Sequence, residues 1–561
     1  MTILAGIFAP TGWRAQDQQL ADEILIHCSR NETDQRQTFF DGALFVCKVD
    51  IGAYAEPAWR EDAAWFAALT GRPLLGGPDR QSDLATLCCP DPGPAIADRC
   101  HGPFCAVVYD RVAQQLRLLT DPLGLRPFYV SEQEGRWLFS TSLRVLQSLP
   151  IDLELDLNGV AEVASLGYFL LDHTPYTGVR GAAPGECWTF GRTGLQRTCY
   201  MVWSNLDGAP LGLEEGVDRV HRAFESALTA GLSGGDADVV VSLTGSLNSS
   251  LIAAALKRRG VRVHGMTTAA ADPVSRYCVT TFAQDNAVPL LPVAEATPGT
   301  TLEERLGWHW SQADAAIYRG IPKPRVVWTG KGGSVGMGSL EIDAADVELA
   351  HWGNADMLVA RFMARTSVNL PPRIIKNYRD LQDHLRADLV TTIRSFRGLS
   401  QARSLMLFLT LAHQRRHFVL QREAVDLHRI ELQAPLCSPK VTWAALALTI
   451  EDLRGFAAYR RLIQSWYPEV MSTPWRSSPG HLVCPLPVPV RTTRRERWLK
   501  QDPTRRATLN RAWRLLREWP VPPGVLHWSG LAITLLLTET RLGEGIYSIQ
   551  RAEVFARWLQ R

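Results

Sequence analysis

Between Ile3 and about Leu146, apolar positions come in short runs such as Phe104-Cys-Ala-Val-Val-Tyr109, Gln115-Leu-Arg-Leu-Leu119 and Trp137-Leu-Phe139, separated by Gly, Pro and Asp. Runs of this length, closed by turn formers, predict strands, so the first part of the chain reads as a β-rich domain. Gly159–Leu170 predicts a helix, and the stretch from Tyr176 to Phe190 passes Gly178, Gly181, Pro184 and Gly185 before a final strand. Leu206–Gly216 reads as a linker. Beyond it the period changes: Val217–Leu232 predicts an amphipathic helix, Ala237–Leu243 a buried strand, Ser249–Arg259 a helix and Val261–Thr267 another strand. Strand, loop, helix, strand at that spacing is a βαβ unit, which implies a parallel sheet in an α/β domain. From Ala345 onward the periodicity is mostly helical. The pattern predicts two domains, residues 1–205 and 206–561, on a chain of 561 residues, long enough for each to bury its own core.

Composition narrows the classes. Eleven cysteines, odd in number, show no CxxC spacing, which predicts reduced thiols rather than a zinc or disulfide framework. A net charge of +3 predicts neither a nucleic-acid nor a membrane partner. No stretch reaches the roughly 18 apolar residues of a membrane span, and no basic segment precedes the first apolar run. Together these predict a cytoplasmic protein.

Candidate chemistry concentrates in Val239-Val-Val-Ser-Leu-Thr-Gly-Ser-Leu-Asn-Ser-Ser250, a β-branched strand running through a small-residue loop into a helix. Backbone amides of such a loop, with the helix N-terminus behind them, cradle phosphate oxygens. Leu243, Thr244, Gly245, Ser246, Asn248, Ser249 and Ser250 are therefore candidate nucleotide-binding residues, although any βα turn can be rich in Gly and Ser.

The loop resembles the pyrophosphate loop of the asparagine synthetase family, Ser-Gly-Gly-Leu-Asp-Ser-Ser. Other landmarks follow in family order: Ala5-Gly-Ile-Phe8, Gly102-Pro-Phe-Cys-Ala-Val-Val-Tyr-Asp110, Asp121-Pro-Leu-Gly-Leu-Arg-Pro-Phe-Tyr129, Phe139-Ser-Thr-Ser142 and Pro184-Gly185. In the second half Gly330-Lys-Gly-Gly-Ser334 resembles the family's Gly-Asp-Gly-Gly-Asp, and Glu431-Leu-Gln-Ala-Pro-Leu436 its Glu-Ala-Arg-Val-Pro-Phe. The resemblance implies an N-terminal antiparallel β domain of the glutamine-hydrolase (Ntn) type and a C-terminal α/β domain of the adenine-nucleotide α-hydrolase type with extra helices. It implies ATP as cofactor, with Gly330, Gly332 and Gly333 beside the phosphates. Glu431 takes the position of the glutamate that orients or deprotonates the amine, against the plainer reading of a salt bridge to Arg429 or Arg422. Arg476 lies near the family's basic residue.

The departures carry more about function. Glutamine-using members begin Met-Cys, and the cysteine attacks the glutamine amide; here residue 2 is Thr. The Arg-Gly-Pro-Asp glutamine-binding segment is not recognisable between Ile24 and Tyr54. A synthetase not fed ammonia can use an amine carried by its substrate, the logic of the β-lactam synthetases and the lasso peptide cyclases. The resemblance thus implies an AMP-forming amide ligase, foremost a lasso peptide cyclase, acting on a peptide or small-molecule carboxylate, with a precursor peptide or leader peptidase as partner. The rivals are a non-catalytic scaffold binding peptide, nucleotide or a partner enzyme, and an ordinary asparagine synthetase, which Thr2 opposes. The family's two Mg²⁺ carboxylates correspond to Asn248 and Ser334, and each lost charge near 4 Å removes about 4 kcal/mol of attraction at an effective dielectric of about 20. Lys331 replaces the first Asp of that loop and could place an ammonium at the phosphates. The Arg491–Arg517 stretch, flanked by tryptophans, reads either as a grip on peptide or nucleic acid or as solvated helix faces.

Overall fold

The computed structural model describes residues 3–29, 34–54, 58–232, 238–268, 273–293, 325–336, 342–366, 370–419 and 430–474, with shorter pieces at 509–510, 512–514, 516–517, 525–539, 548–549 and 552. Thr2, Arg476 and most of Arg491–Arg517 fall outside them. So do Arg422 and Arg429.

Two six-stranded antiparallel sheets form the first part. Along Ile3–Phe8 the strand period of two is visible in what each side chain meets. Ile3, Ala5 and Ile7 pack with Ala21 and Ile24 of the helix Ala15–His27 and with Val160 of the helix Leu157–Leu166. Leu4 and Phe8 turn the other way, against Phe66, Val107 and Leu118 of the second sheet. That second sheet repeats the arrangement, since Leu69, Ala106 and Val108 face outward onto Leu84, Leu87 and Ile96 of two short helices. Strands covered on both faces read as near-continuous apolar runs, as Phe104–Asp110 does. The result is four layers, helix, sheet, sheet, helix.

The hydrophobic pattern does not predict the helices at Ala15–His27, Arg80–Leu87 and Gly93–Arg99. The last two span only eight and seven residues, and Ala15–His27, at thirteen, lacks a strong apolar stripe. Elsewhere the boundaries shift by a few residues. The helix predicted at Gly159–Leu170 runs Leu157–Leu166 and stops at Gly167, whose φ of +82° closes it.

In the second part, five parallel strands stand in the order Leu290–Val293, Arg262–Thr268, Asp238–Ser242, Val326–Trp328, Glu431–Gln433. Numbered along the chain this is 3-2-1-4-5, so the path runs outward from the central strand, then crosses it to continue on the other side. Helices Leu213–Gly231, Leu247–Arg258, Gln401–Phe418 and Pro439–Leu446 pack around it.

The two parts share a core. Trp203, just after the last antiparallel strand, sets its ring edge-on against Phe396 and Trp443, at 5.5 and 5.8 Å between centroids. Leu123, Leu125, Leu166 and Tyr168 belong to the same apolar cluster as Val220, Val241 and Leu389.

Candidate active site

In an open parallel sheet, ligands bind beyond the carboxyl ends of the strands where the strand order reverses. Here that point lies between Asp238–Ser242 and Val326–Trp328, which pair through Val240 with Val327 and Val241 with Trp328. The loops leaving those two strands are Leu243–Ser246 and Thr329–Gly332, the two segments singled out in the sequence.

They touch. A Cβ on Gly330 would lie 2.5 Å from Ser249 N, and one on Gly333 would lie 2.8 Å from the Asn248 amide oxygen. Only glycine permits that approach. Gly245 takes a φ of +70°, and a Cβ there would meet the Ser275 carbonyl oxygen at 2.7 Å. Thr244 Oγ1 donates to Ser246 Oγ (2.9 Å), Ser246 Oγ to Ser249 Oγ (3.2 Å), and Ser249 Oγ to the Ser246 carbonyl (2.8 Å). The hydroxyls thus brace the loop, while the first amides of Leu247–Arg258 have no partner within the helix itself. Such a loop, with helix polarity behind it, has the geometry that can cradle an anion. Leu243 is buried and its amide donates to the Met266 carbonyl, tying the loop to the neighbouring strand.

Lys331 reaches over Phe418, with Nζ 5.9 Å from the ring centroid, and burial pulls its ammonium down to about 7. Cys437, buried behind the loop, donates its thiol to the Lys331 carbonyl at 3.3 Å. Ser334 lies in the short helical turn Gly333–Gly336.

Glu431 stands apart from these loops. It is in register with Val326, at the amino end of its strand, whereas the glycine loop leaves the carboxyl end. Its carboxylate is 1% exposed and accepts a 2.5 Å hydrogen bond from Arg126 of the first part. Tyr54 lies close by, its hydroxyl pushed up to about 12 by burial and by the charge of Glu431. The Arg72 and Arg80 guanidiniums sit 5.1 and 5.2 Å from the Tyr54 ring. His101 completes the seam, its two ring nitrogens 3.2 Å from Ser438 Oγ and 3.3 Å from Ser226 Oγ. Arg126 lies within the stretch Asp121–Tyr129, but nothing in its spacing reports a partner 305 positions away.

A metal would need a different donor set from the one at these loops. Asn248 offers a neutral amide, and the one group of three metal-ligating side chains among the described residues, Glu162, His173 and Asp388, lies elsewhere.

Residues 83–201 match the family model described as a glutamine amidotransferase domain. A segment of 163 residues is 28% identical to "Asparagine synthetase [glutamine-hydrolyzing] 3" of Bacillus subtilis (strain 168), covering 28% of this chain and 26% of that protein. Among solved structures, the chain is similar to the glutamine phosphoribosylpyrophosphate amidotransferase from B. subtilis complexed with ADP and GMP, at 11% identity over 60% of this chain and 77% of that one, TM-score 0.25. It is also similar to a structure described as the allosteric regulatory enzyme of purine biosynthesis, at 12% identity over 53% and 81%, TM-score 0.26. The glutamine amidotransferase match thus lies within the first part of the chain, and the likeness to this asparagine synthetase spans about a quarter of each protein.

Proposed function

We propose that this protein is an ATP-dependent, AMP-forming amide ligase that takes its amine from its own substrate, as a lasso peptide cyclase closing a macrolactam does. The observation that carries this reading is the meeting of the Thr244 and Gly330 loops at the reversal of the parallel sheet. In this reading the first part is a glutaminase-type (Ntn) layer structure without glutaminase chemistry, and the second an adenine-nucleotide α-hydrolase-type domain.

The loop residues fit ATP. Amides of Gly245 to Asn248 would hold the phosphates, Gly330 and Gly333 would let the two loops close on them, and Lys331 would add charge. Bound ATP would supply an adenylyl group to activate a carboxylate, pyrophosphate being released at that step and AMP when the amine attacks. This chain's own part is to fix the carboxylate and the amine of one substrate side by side, which makes attack effectively unimolecular. The donor set at Asn248 does not fit Mg²⁺ in the family's manner, and no step is assigned to a metal.

Arg126, locked on Glu431 in a buried pair, and Arg72, whose Nη1 lies 3.5 Å from the Gly231 carbonyl, fill the seam between the two parts. A filled seam favours a substrate-borne amine over ammonia delivered from the first part. It also leaves Glu431 engaged at rest, so a role as base needs Arg126 to withdraw.

The test is pyrophosphate release from ATP with candidate peptides, with ammonia as the alternative amine, and glutamate release from glutamine as a separate assay. Peptide-dependent pyrophosphate release without glutaminase activity is expected. ATP binding without turnover for any amine would favour the scaffold reading, which the neutral Asn248 independently suggests; glutaminase activity abolished by Thr2→Ala would overturn the account of the first part.

A further inference from the structure

Gln414 sits on the helix Gln401–Phe418 and is 1% exposed. Among the described residues, neither its Oε1 nor its Nε2 has a hydrogen-bonding partner. A carboxamide carries two donors and an acceptor, and buried polar groups in folded proteins are almost always paired. An amide left in this state marks a place where something else completes it.

Its position says what. Thr410, Gln414 and Phe418 fall at four-residue intervals and so lie along one face of the helix. At one end of that stripe the Thr410 methyl is 4.0 Å from where a Cβ on Gly336 would stand; at the other, the Phe418 ring lies under Lys331. Gln414 is therefore flanked by contacts to both ends of the segment Lys331–Gly336. Gly333 of this segment, and Gly330 just before it, press onto Asn248 and Ser249 of the phosphate cradle.

We infer that the Gln414 carboxamide is a ligand of the phosphate chain, an inference that rests on the ATP-binding reading above. Its Nε2 donates to a phosphate oxygen. Its Oε1 accepts from the Lys331 ammonium or from a loop amide as the segment settles on the anion. Gln414 thus helps to hold the phosphates by direct contact, and the penalty of its bare burial is relieved only in the bound state.

The experiment measures pyrophosphate and ATP affinity by calorimetry, and the thermal midpoint without ligand, for the full chain and for Gln414→Leu and Gln414→Glu. Gln414→Leu is expected to raise the ligand-free midpoint, because an unmet polar group disappears, while weakening pyrophosphate about tenfold or more. Gln414→Glu keeps the size and adds a repelling charge, so its loss of pyrophosphate affinity should be larger still. A wild-type protein that binds neither ATP nor pyrophosphate overturns the ATP-binding reading and this inference together. Wild-type binding that persists unchanged in both variants overturns this inference alone, as does a fall in the Gln414→Leu midpoint with anion affinity intact, the signature of a purely structural side chain.

Discussion

Arg126 and Glu431, from opposite halves of the chain, meet at 2.5 Å with 3% and 1% of their side chains exposed. Such a pair is worth little over a well-packed apolar substitute, yet breaking it leaves a bare charge in the seam. Arg126→Leu should destabilise the protein by about 3–5 kcal/mol, and Arg126→Leu with Glu431→Leu should recover much of that loss. Denaturant titration of the two singles and the double checks this; a double mutant no better than the sum of the singles refutes the coupling.

The cradle should tolerate no side chain at its turn. Gly245→Val adds a Cβ that would meet the Ser275 carbonyl and demands a positive φ of a β-branched residue. ATP binding is expected to vanish, with the antiparallel sheets unaffected. Nucleotide calorimetry beside circular dichroism gives the answer, and retained affinity would mean that the loop is not the phosphate site.

Lys331 titrates near 7 because burial disfavours its charge. Its proton is held more tightly in the unfolded chain than in the folded one, so this residue lowers stability at acid and neutral pH, an effect that fades as pH rises from about 7 toward the ordinary lysine range. Lys331→Met should therefore raise the midpoint of the ligand-free protein at pH 6 more than at pH 10. If the ammonium faces phosphates, ATP affinity of the wild type should fall as pH rises through about 7, and the variant should lose that dependence. A flat wild-type profile removes Lys331 from the phosphate site.

Glu162 and His173 pair at 2.7 Å, with the Asp388 carboxylate 3.9 Å from the same ring nitrogen. Hydrogen bonding to Glu162 lifts His173 to about 9, and burial lifts Glu162 to about 7. Both folded values exceed the ordinary ones, so both groups favour folding at lower pH and lose that contribution as pH rises, His173 between about 6.5 and 9. The thermal midpoint of the wild type should decline across that window, and His173→Gln should flatten the decline. Equal slopes in the two proteins would show that the imidazole carries no charge at this seam.

What the sequence disclosed follows from how far each interaction reaches along the chain. The loop Thr244–Ser250 was legible because strand, turn and helix N-terminus are neighbours in sequence, and the period of two changing to a helical period marks the unit. Gly330–Gly333 was legible through resemblance alone, since the contact of Gly333 with Asn248 is a tertiary fact. Gln414 was invisible: between His413 and Arg415 on a helix, a glutamine reads as an ordinary solvated polar position. Glu431 was noticed, but its partner was sought among nearby arginines, whereas strand pairing with Val326 turns it toward Arg126. The helix Ala15–His27 was missed because its burial comes from the sheet beneath it, which the local pattern does not report.

Trp203, wedged edge-on between Phe396 and Trp443, has one more consequence. A segment whose large rings are completed by residues two hundred positions later cannot be cut away as a unit, because its removal would leave the other half with a bare aromatic socket facing water. Whatever chemistry the first part performs, selection acting on this gene could not discard it, because its fit against its neighbour keeps it in place.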